Sequence, residues 1–219
     1  MIAAAALDVD AVPRAYLSAM EFSHVVLARM YEHIEPIDRG GRYEDPLQEA
    51  LEGKNLGRVT GGGSQLNELG AIEHADVEIE LADLDGAAAL AVAALERAGA
   101  PQGSELIDLS NSRVLREFGT QQCLAVFLDG TTLPEEVYQD LDFDAVVTAI
   151  GEAAGPDSFR GFWQGNEETG LFYFGANADE MFARVEPVLR KLPIGQNARV
   201  VVRHGKPGLN AREVRMPRR

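Results

Sequence analysis

The sequence predicts an α+β protein built from two copies of one β-α-β-β-α-β unit, with antiparallel sheets that carry helices on one face. A length of 219 residues suits two domains of about 100 residues each. Apolar, β-branched runs typical of strands alternate with segments of helical periodicity, and the same order of elements occurs twice. Hydrophobic residues make up 46% and charged residues 25% of the chain, as in an ordinary folded globular protein.

The first half contains four predicted strands and two predicted helices. The strands are residues 23–29, 57–63, 75–81 and 104–107, and the helices are residues 46–52 and 83–98. Asp45 before Pro46 is typical of an N-cap followed by proline in the first helical turn. Gly99 supplies a left-handed end to the second helix.

The second half repeats this order. Its predicted strands are residues 122–128, 159–165, 171–174 and 198–202, and its predicted helices are residues 143–154 and 178–192. Asp142 and Asn177 precede the helices as N-caps, and Pro187 is expected to kink or shorten the last one. Each half therefore has the split βαβ, or ferredoxin-like, arrangement.

These elements divide the chain into four segments. The predicted segments are an N-terminal extension (1–20), a first ferredoxin-like unit (21–112), a second unit (113–205) and a basic C-terminal tail (206–219). The tail is rich in glycine, proline and asparagine and is expected to be a mobile end.

Charge is distributed unevenly along the chain. The formal net charge is −15, but residues 199–219 hold seven basic residues against Glu213 alone, a local +6, which leaves −21 on the first 198 residues. An acidic body repels nucleic acid and anionic membranes and favours basic partners, unless the charge serves solubility alone. We therefore expect a protein partner or a homodimer, and neither a nucleic acid nor a membrane.

Targeting and redox signals point to a cytoplasmic protein. The apolar opening, residues 1–7, lacks a basic n-region and is followed at once by Asp8 and Asp10, unlike a signal peptide. No run approaches the roughly 18 apolar residues of a membrane span. The single cysteine, Cys123, cannot form an internal disulfide and is expected to be a buried small hydrophobe.

One predicted strand presents an acidic row. Alternation along residues 74–81 places Val77, Ile79 and Leu81 on the helix-covered side, so the opposite side carries His74, Asp76, Glu78 and Glu80. The row is typical of a polar outer face, and it also suits docking of a basic partner. A metal site is less favoured, because a single strand lays its ligands out in a line.

Residues 35–45 form a second candidate partner site. Arg39, Arg42 and Tyr43 are interleaved there with acidic residues, between the first strand and the first helix. Such a polar segment is either an internally salt-bridged connector or a recognition loop.

A third pattern favours a ligand instead of a protein partner. Gly61, Gly62 and Gly63 invite a phosphate-loop interpretation, but no P-loop lysine follows, so a flexible or bulged hairpin connection is the simpler one. Trp163 and Tyr173 lie in an aromatic part of the second half, whose sheet we expect to be covered on both faces by the first half, a second chain or a ligand. The alternative function is thus a sensor or enzyme with a cleft between the units.

Catalytic motifs are missing from the sequence. The four histidines form no HExxH or short-spaced zinc pattern, and no serine lies in a Gly-x-Ser-x-Gly elbow. We expect no catalytic residue, no metal and no cofactor, and we regard an enzyme as the less favoured class.

The segments running from Asp38 to Pro46 and from Gly57 to Gly63 carry a resemblance to known proteins. Over roughly residues 22–110 the chain resembles small uncharacterised bacterial proteins of ferredoxin-like build. Its acidity and build are similar to those of some immunity proteins, which neutralise basic toxins. The resemblance implies a non-enzymatic acidic protein that binds a basic protein partner.

Overall fold

The computed structural model describes residues 22–218 as an α+β protein with two antiparallel five-stranded sheets. The predicted α+β class is therefore confirmed. The predicted extension, residues 1–20, lies outside the described residues. We call residues 22–118, which contain the first sheet, the first half, and residues 121–218, which contain the second, the second half.

The first sheet has strand order β2-β3-β1-β4-β5, with every neighbouring pair antiparallel. Its strands are β1 (His24–Met30), β2 (Gly57–Leu66), β3 (Ile72–Leu81), β4 (Ser104–Asp108) and β5 (Arg113–Phe118). Strand β5 is not among the strands predicted from the sequence. Because it pairs with β4, it belongs to the first sheet, whereas the predicted second unit begins at residue 113.

The second sheet has strand order β10-β9-β6-β8-β7 and is also antiparallel. Its strands are β6 (Gln122–Asp129), β7 (Phe159–Gln164), β8 (Glu168–Gly175), β9 (Arg199–Arg203) and β10 (Ala211–Arg215). The last strand lies in the predicted mobile tail, residues 206–219. It is instead an edge strand, because its backbone pairs with β9 over five residues.

Within residues 22–218, six α-helices connect the strands. They are α1 (Pro36–Arg39), α2 (Asp45–Glu52), α3 (Gly86–Arg97), α4 (Glu135–Gln139), α5 (Phe143–Ala154) and α6 (Ala178–Leu189). The side chains of Asp142 and Asn177 cap α5 and α6 as expected, and α6 ends two residues after Pro187.

The segment before Pro46 is helical, not the polar loop that we expected. Pro36 occupies the first turn of α1, and a π-helical turn at Gly40–Glu44 joins α1 to α2. In that wide turn the Asp45 amide donates to the Gly40 carbonyl, five residues back. The wider turn and the absent amide hydrogen of Pro46 allow the helix to continue through residues that look like a cap from the sequence.

Each half has its own hydrophobic core between helices and sheet. In the first half Val26, Val77 and Ile79 pack with Leu47 and Leu95. In the second half a matching core is formed by strand and helix residues, among them Leu124, Val126, Ile150, Tyr173, Val185 and Val200. A third cluster, containing Cys123, Ala125 and Phe174, covers the opposite face of the second sheet.

A buried carboxylate joins the two halves. Glu32, 1% exposed, follows β1 and accepts a hydrogen bond from the Tyr43 hydroxyl. From the second half, Arg160 donates through Nη1 to Glu32 Oε1 at 3.2 Å and lies over the Phe174 ring. Burial raises the pKa of Glu32, and the charge of Arg160 opposes this rise. The pair fixes β7 against the end of β1.

Three further contacts cross the same junction. Arg203 Nη2 donates to the Tyr31 carbonyl at 2.6 Å, and Lys206 Nζ donates to Glu105 Oε1 at 2.7 Å. The His33 ring stacks on Phe172, with centroids 4.8 Å apart and planes 13° from parallel. The first half therefore covers part of the aromatic face of the second sheet.

Among residues 22–218, no helix is long and apolar enough to cross a membrane. Over the same residues no group of three or more histidine, cysteine, aspartate or glutamate side chains is arranged to hold a metal ion.

Replacing Glu32→Ala should destabilise the protein strongly, because it leaves the Arg160 guanidinium buried without its carboxylate. Loss of one partner from a buried ion pair costs about 3–5 kcal/mol. Urea unfolding followed by circular dichroism measures the change. Arg190→Ala is the matched control, since it breaks the exposed Glu186–Arg190 pair and should cost less than about 1 kcal/mol. Equal losses in the two variants would contradict a stabilising junction.

Candidate functional site

A cleft of about 1020 Å³ lies between the two halves. Apolar, aromatic and polar side chains line it together, which is typical of small-molecule sites. The first half contributes His33, Glu35, Pro36, Asp38, Arg39, Gly62, Gly63, Ser64, Leu66, Gly70 and Ile72. The second half contributes Phe159, Gly161, Phe162, Trp163 and Gln164.

Strand β2 forms the first wall and is irregular where it borders the cleft. A β-bulge lies between Val59 and Gly61, as the glycine-rich sequence predicted. A Cβ at Gly62 would fall 2.9 Å from Arg39 Nη2 and 2.8 Å from the Asp76 carbonyl oxygen, so only glycine fits there. A Cβ at Gly63 would meet no atom within 4 Å, so Gly63 borders open space.

Strand β7 forms the facing wall and has a bulge of its own between Phe159 and Gly161. Arg160 is the extra residue of this bulge and reaches Glu32 of the first half. Gly161 has φ +139°, a conformation that disfavours any side chain. Further along, Trp163 lies over Gly165 so closely that a Cβ at position 165 would fall 2.2 Å from Trp163 Cη2. The indole is thereby held at the cleft.

His33 lines the cleft at the end of β1 and is 6% exposed. Its Nε2 lies 3.1 Å from the Phe162 carbonyl oxygen and 4.0 Å from Glu35 Oε1. Burial lowers the pKa of His33, against the raising effects of the Ile72 and Phe162 backbone and of Glu35. Nε2 donates to the Phe162 carbonyl, because a carbonyl oxygen can only accept, and the buried Nδ1 has no hydrogen-bond partner among the described residues.

Arg39 is the cation of the cleft wall, and its charge is already engaged. Its Nε donates to Glu44 at 2.6 Å, and its Nη1 donates to the Gly63 carbonyl at 2.8 Å. The side chain is almost buried and ties α1 to the glycine-rich part of β2. Arg39 thus stabilises the cleft wall, and its charge is not available to a partner protein.

The five residues predicted for a ligand site separate into two groups. Gly62, Gly63 and Trp163 line the cleft, on its opposite walls. Gly61 does not line it, and Tyr173 is fully buried in the second core, where its hydroxyl lies 3.4 Å from the Val147 carbonyl. Burial raises the pKa of Tyr173 well above its ordinary value. Tyr173 therefore stabilises the core and does not face the cleft.

The acidic row lies on the face of the first sheet opposite its core, as strand alternation predicted. Its charges are largely met within the chain. Asp76 accepts two hydrogen bonds from Arg29, at 2.9 Å each, and Glu80 pairs with Arg58 at 2.6 Å. Thr60 donates to Glu78, and His74 Nε2 lies 3.6 Å from Asp76 Oδ2. The row offers a partner less charge than its sequence suggested.

Tyr43 and Arg42 are placed differently from Arg39. Tyr43 is fully buried in the first core, and its hydroxyl donates to Glu32. Arg42 lines a separate cavity of about 590 Å³ next to α2 and α3. The three residues predicted as one recognition loop therefore point to three environments, because residues 36–52 are helical.

Among the residues of the cleft that sequence reasoning did not assign to a ligand site are three titratable ones: His33, Glu35 and Asp38. A signal was present in the sequence, since these residues follow a predicted strand and flank Pro36, which favours a helix start. Residues between a strand end and a helix start commonly form sites.

Comparisons with known proteins add little. No family model matches the chain, and no curated protein does. A structure of an unknown protein from Galdieria sulphuraria aligns with 12% identity and a TM-score of 0.25, covering 82% of this chain and 97% of that one.

Two bacterial structures align with similarly low identity and TM-score. A candidate monooxygenase from Lactobacillus acidophilus aligns with 11% identity and a TM-score of 0.26, covering 77% of this chain and 87% of that one. Another, from Fusobacterium nucleatum, has 13% identity and a TM-score of 0.25, with coverages of 78% and 86%. At such scores the likeness carries no argument, and the function has to be argued from the cleft itself.

His33 should make the stability of the protein depend on pH. Its pKa is lower in the folded than in the unfolded chain, so folding is most favourable above the ordinary value of 6.5 and loses free energy as pH falls below it. In His33→Phe, which keeps a ring on Phe172, the free energy of unfolding should fall less between about pH 7.5 and 5. Urea unfolding at several pH values measures both slopes. Parallel slopes would exclude His33 as the titrating group.

Proposed function

We propose that this chain is a small-molecule-binding protein whose ligand occupies the cleft between the two halves. The observation that carries the proposal is a cleft of about 1020 Å³ between two irregular strands. Glycines of β2 lie on one wall, and Trp163 of β7 lies on the other. Glycines permit close approach to the backbone, and an indole supplies a large apolar contact. No residue of the cleft forms a nucleophile with its base, so binding is a better description than catalysis.

We also propose that the two halves are tandem ferredoxin-like units. What supports this is the shared spatial order of the four strands in each half, β2-β3-β1-β4 and β7-β8-β6-β9. Each half also carries a bulge at the same place, two to four residues into its second strand. A duplicated unit explains why the cleft has two similar walls.

A basic protein partner, as for an immunity protein, is the less well supported proposal. Two of the three acidic side chains in the row are paired with arginines of the same sheet. A partner would have to displace Arg29 and Arg58 before it could use that charge, which removes much of the electrostatic gain.

A side chain at Gly63 should obstruct the cleft without disturbing the fold. We expect Gly63→Leu to weaken binding of the neutral dye N-phenyl-1-naphthylamine about tenfold, a free-energy change of about 1.4 kcal/mol. Energy transfer from Trp163, the single tryptophan of the chain, measures the binding.

Gly61→Leu is the matched control, because a Cβ there also meets no atom within 4 Å but Gly61 does not line the cleft. It should bind the dye as the wild type does. If wild type fails to bind the dye, or if both leucine variants bind it equally well, the cleft is not the site.

A further inference from the structure

Two carboxylates of the cleft have no cationic partner in the described chain. Glu35 and Asp38 stand at the start of α1, where Glu35 is 60% exposed and Asp38 is exposed too. Within residues 22–218 neither forms an ion pair with a lysine or arginine, and burial lowers the pKa of His33, the histidine 4.0 Å from Glu35. The positive charge of Arg39 is offset by Glu44, which lies outside the cleft lining. The cleft is therefore negative.

Carboxylates are also found in a second cavity that Trp163 lines. It also lines a second cavity of about 470 Å³, bounded by Glu68, Glu167 and Glu168. Arg199 pairs with Glu168 at 2.6 Å, whereas Glu68 and Glu167 have no lysine or arginine partner among the described residues. Trp163 thus lines two cavities, and each of them contains carboxylates without a lysine or arginine partner in the described chain.

We propose that the cleft is selective for organic cations, in which an amine or quaternary ammonium group is attached to an apolar or aromatic body. This inference rests on the proposed function. The charged group would lie near Glu35 and Asp38, and the body would pack on Trp163 and Ile72. An indole face attracts cations, and carboxylates in a partly desolvated cleft strengthen that preference. The same carboxylates repel an anionic ligand of equal size.

Three compounds with one phenyl ring and different charge test the selectivity: phenethylammonium, 2-phenylethanol and phenylacetate. Each is titrated into the full-length protein while Trp163 fluorescence is followed. We expect the cation to bind at least about tenfold more tightly than the anion at about 20 mM salt, with the neutral compound between them. The difference should shrink at about 500 mM salt, where screening acts within a few ångströms.

Neutralising the two carboxylates should remove the selectivity. In Glu35→Gln/Asp38→Asn the cation should bind no more tightly than 2-phenylethanol, while the neutral compound binds as before. The matched control, Glu135→Gln/Asp144→Asn, removes two exposed charges from the helical side of the second half and should keep the wild-type preference.

The outcomes separate this inference from the proposed function. Equal binding of cation and anion, or an unchanged preference in the Glu35/Asp38 variant, overturns the selectivity and leaves the cleft as a binding site. If none of the three compounds and no neutral dye changes the Trp163 signal, both the selectivity and the proposed function are overturned.

Discussion

The arrangement of the two halves depends on one buried carboxylate. Glu32 lies at the end of β1 and is contacted by Tyr43 from the helical segment and by Arg160 from β7. An unpaired carboxylate in this position would be very costly, so the three side chains have to stay together. Because Arg160 is the bulged residue of β7, its contact with Glu32 also sets where that strand lies. The position of Trp163, three residues later, follows from it.

The cleft is a consequence of this junction. The halves meet where His33 stacks on Phe172, where Glu32 pairs with Arg160 and where the Tyr31 carbonyl accepts a hydrogen bond from Arg203. Beyond these contacts β2 and β7 remain apart, and the space between them is the cleft. Its two walls are held by different means: Arg39 ties β2 to α1, whereas Gly165 accommodates the indole of Trp163. Substitutions at the junction and in the walls should thus have separable effects on stability and on binding.

Much of the fold was predictable because its signals are local. Cap residues and hydrophobic periodicity predicted α5 at its observed bounds, and strand alternation placed Val77 and Ile79 on the core side of β3. The edge strands β5 and β10 gave no such signal, since they are short, charged and mostly exposed. The helical segment 36–44 was not predicted, because it contains two glycines and is followed by an Asp-Pro pair that is typical of a helix N-terminus.

The site was less predictable, because it depends on contacts across the chain. Trp163 and Gly63 were identified by residue type, but Tyr173 was assigned to the site although strand alternation directs it into the core. His33 lacks any motif, and its place in the cleft depends on Phe162, 129 residues away. Similarly, the charge of the acidic row could be read from the sequence, whereas its neutralisation by Arg29 and Arg58 required the register of neighbouring strands.

The edge strands have a consequence for association between copies of the chain. An unpaired strand edge is a template for aggregation unless charges interrupt it. Strand β5 carries Arg113, Arg116 and Glu117, and β10 carries a similar mixture of arginine and glutamate. Each of these two strands is a short, charged edge of its sheet, on the side away from the cleft. At these two edges the sheets therefore resist edge-to-edge pairing with those of a neighbouring copy.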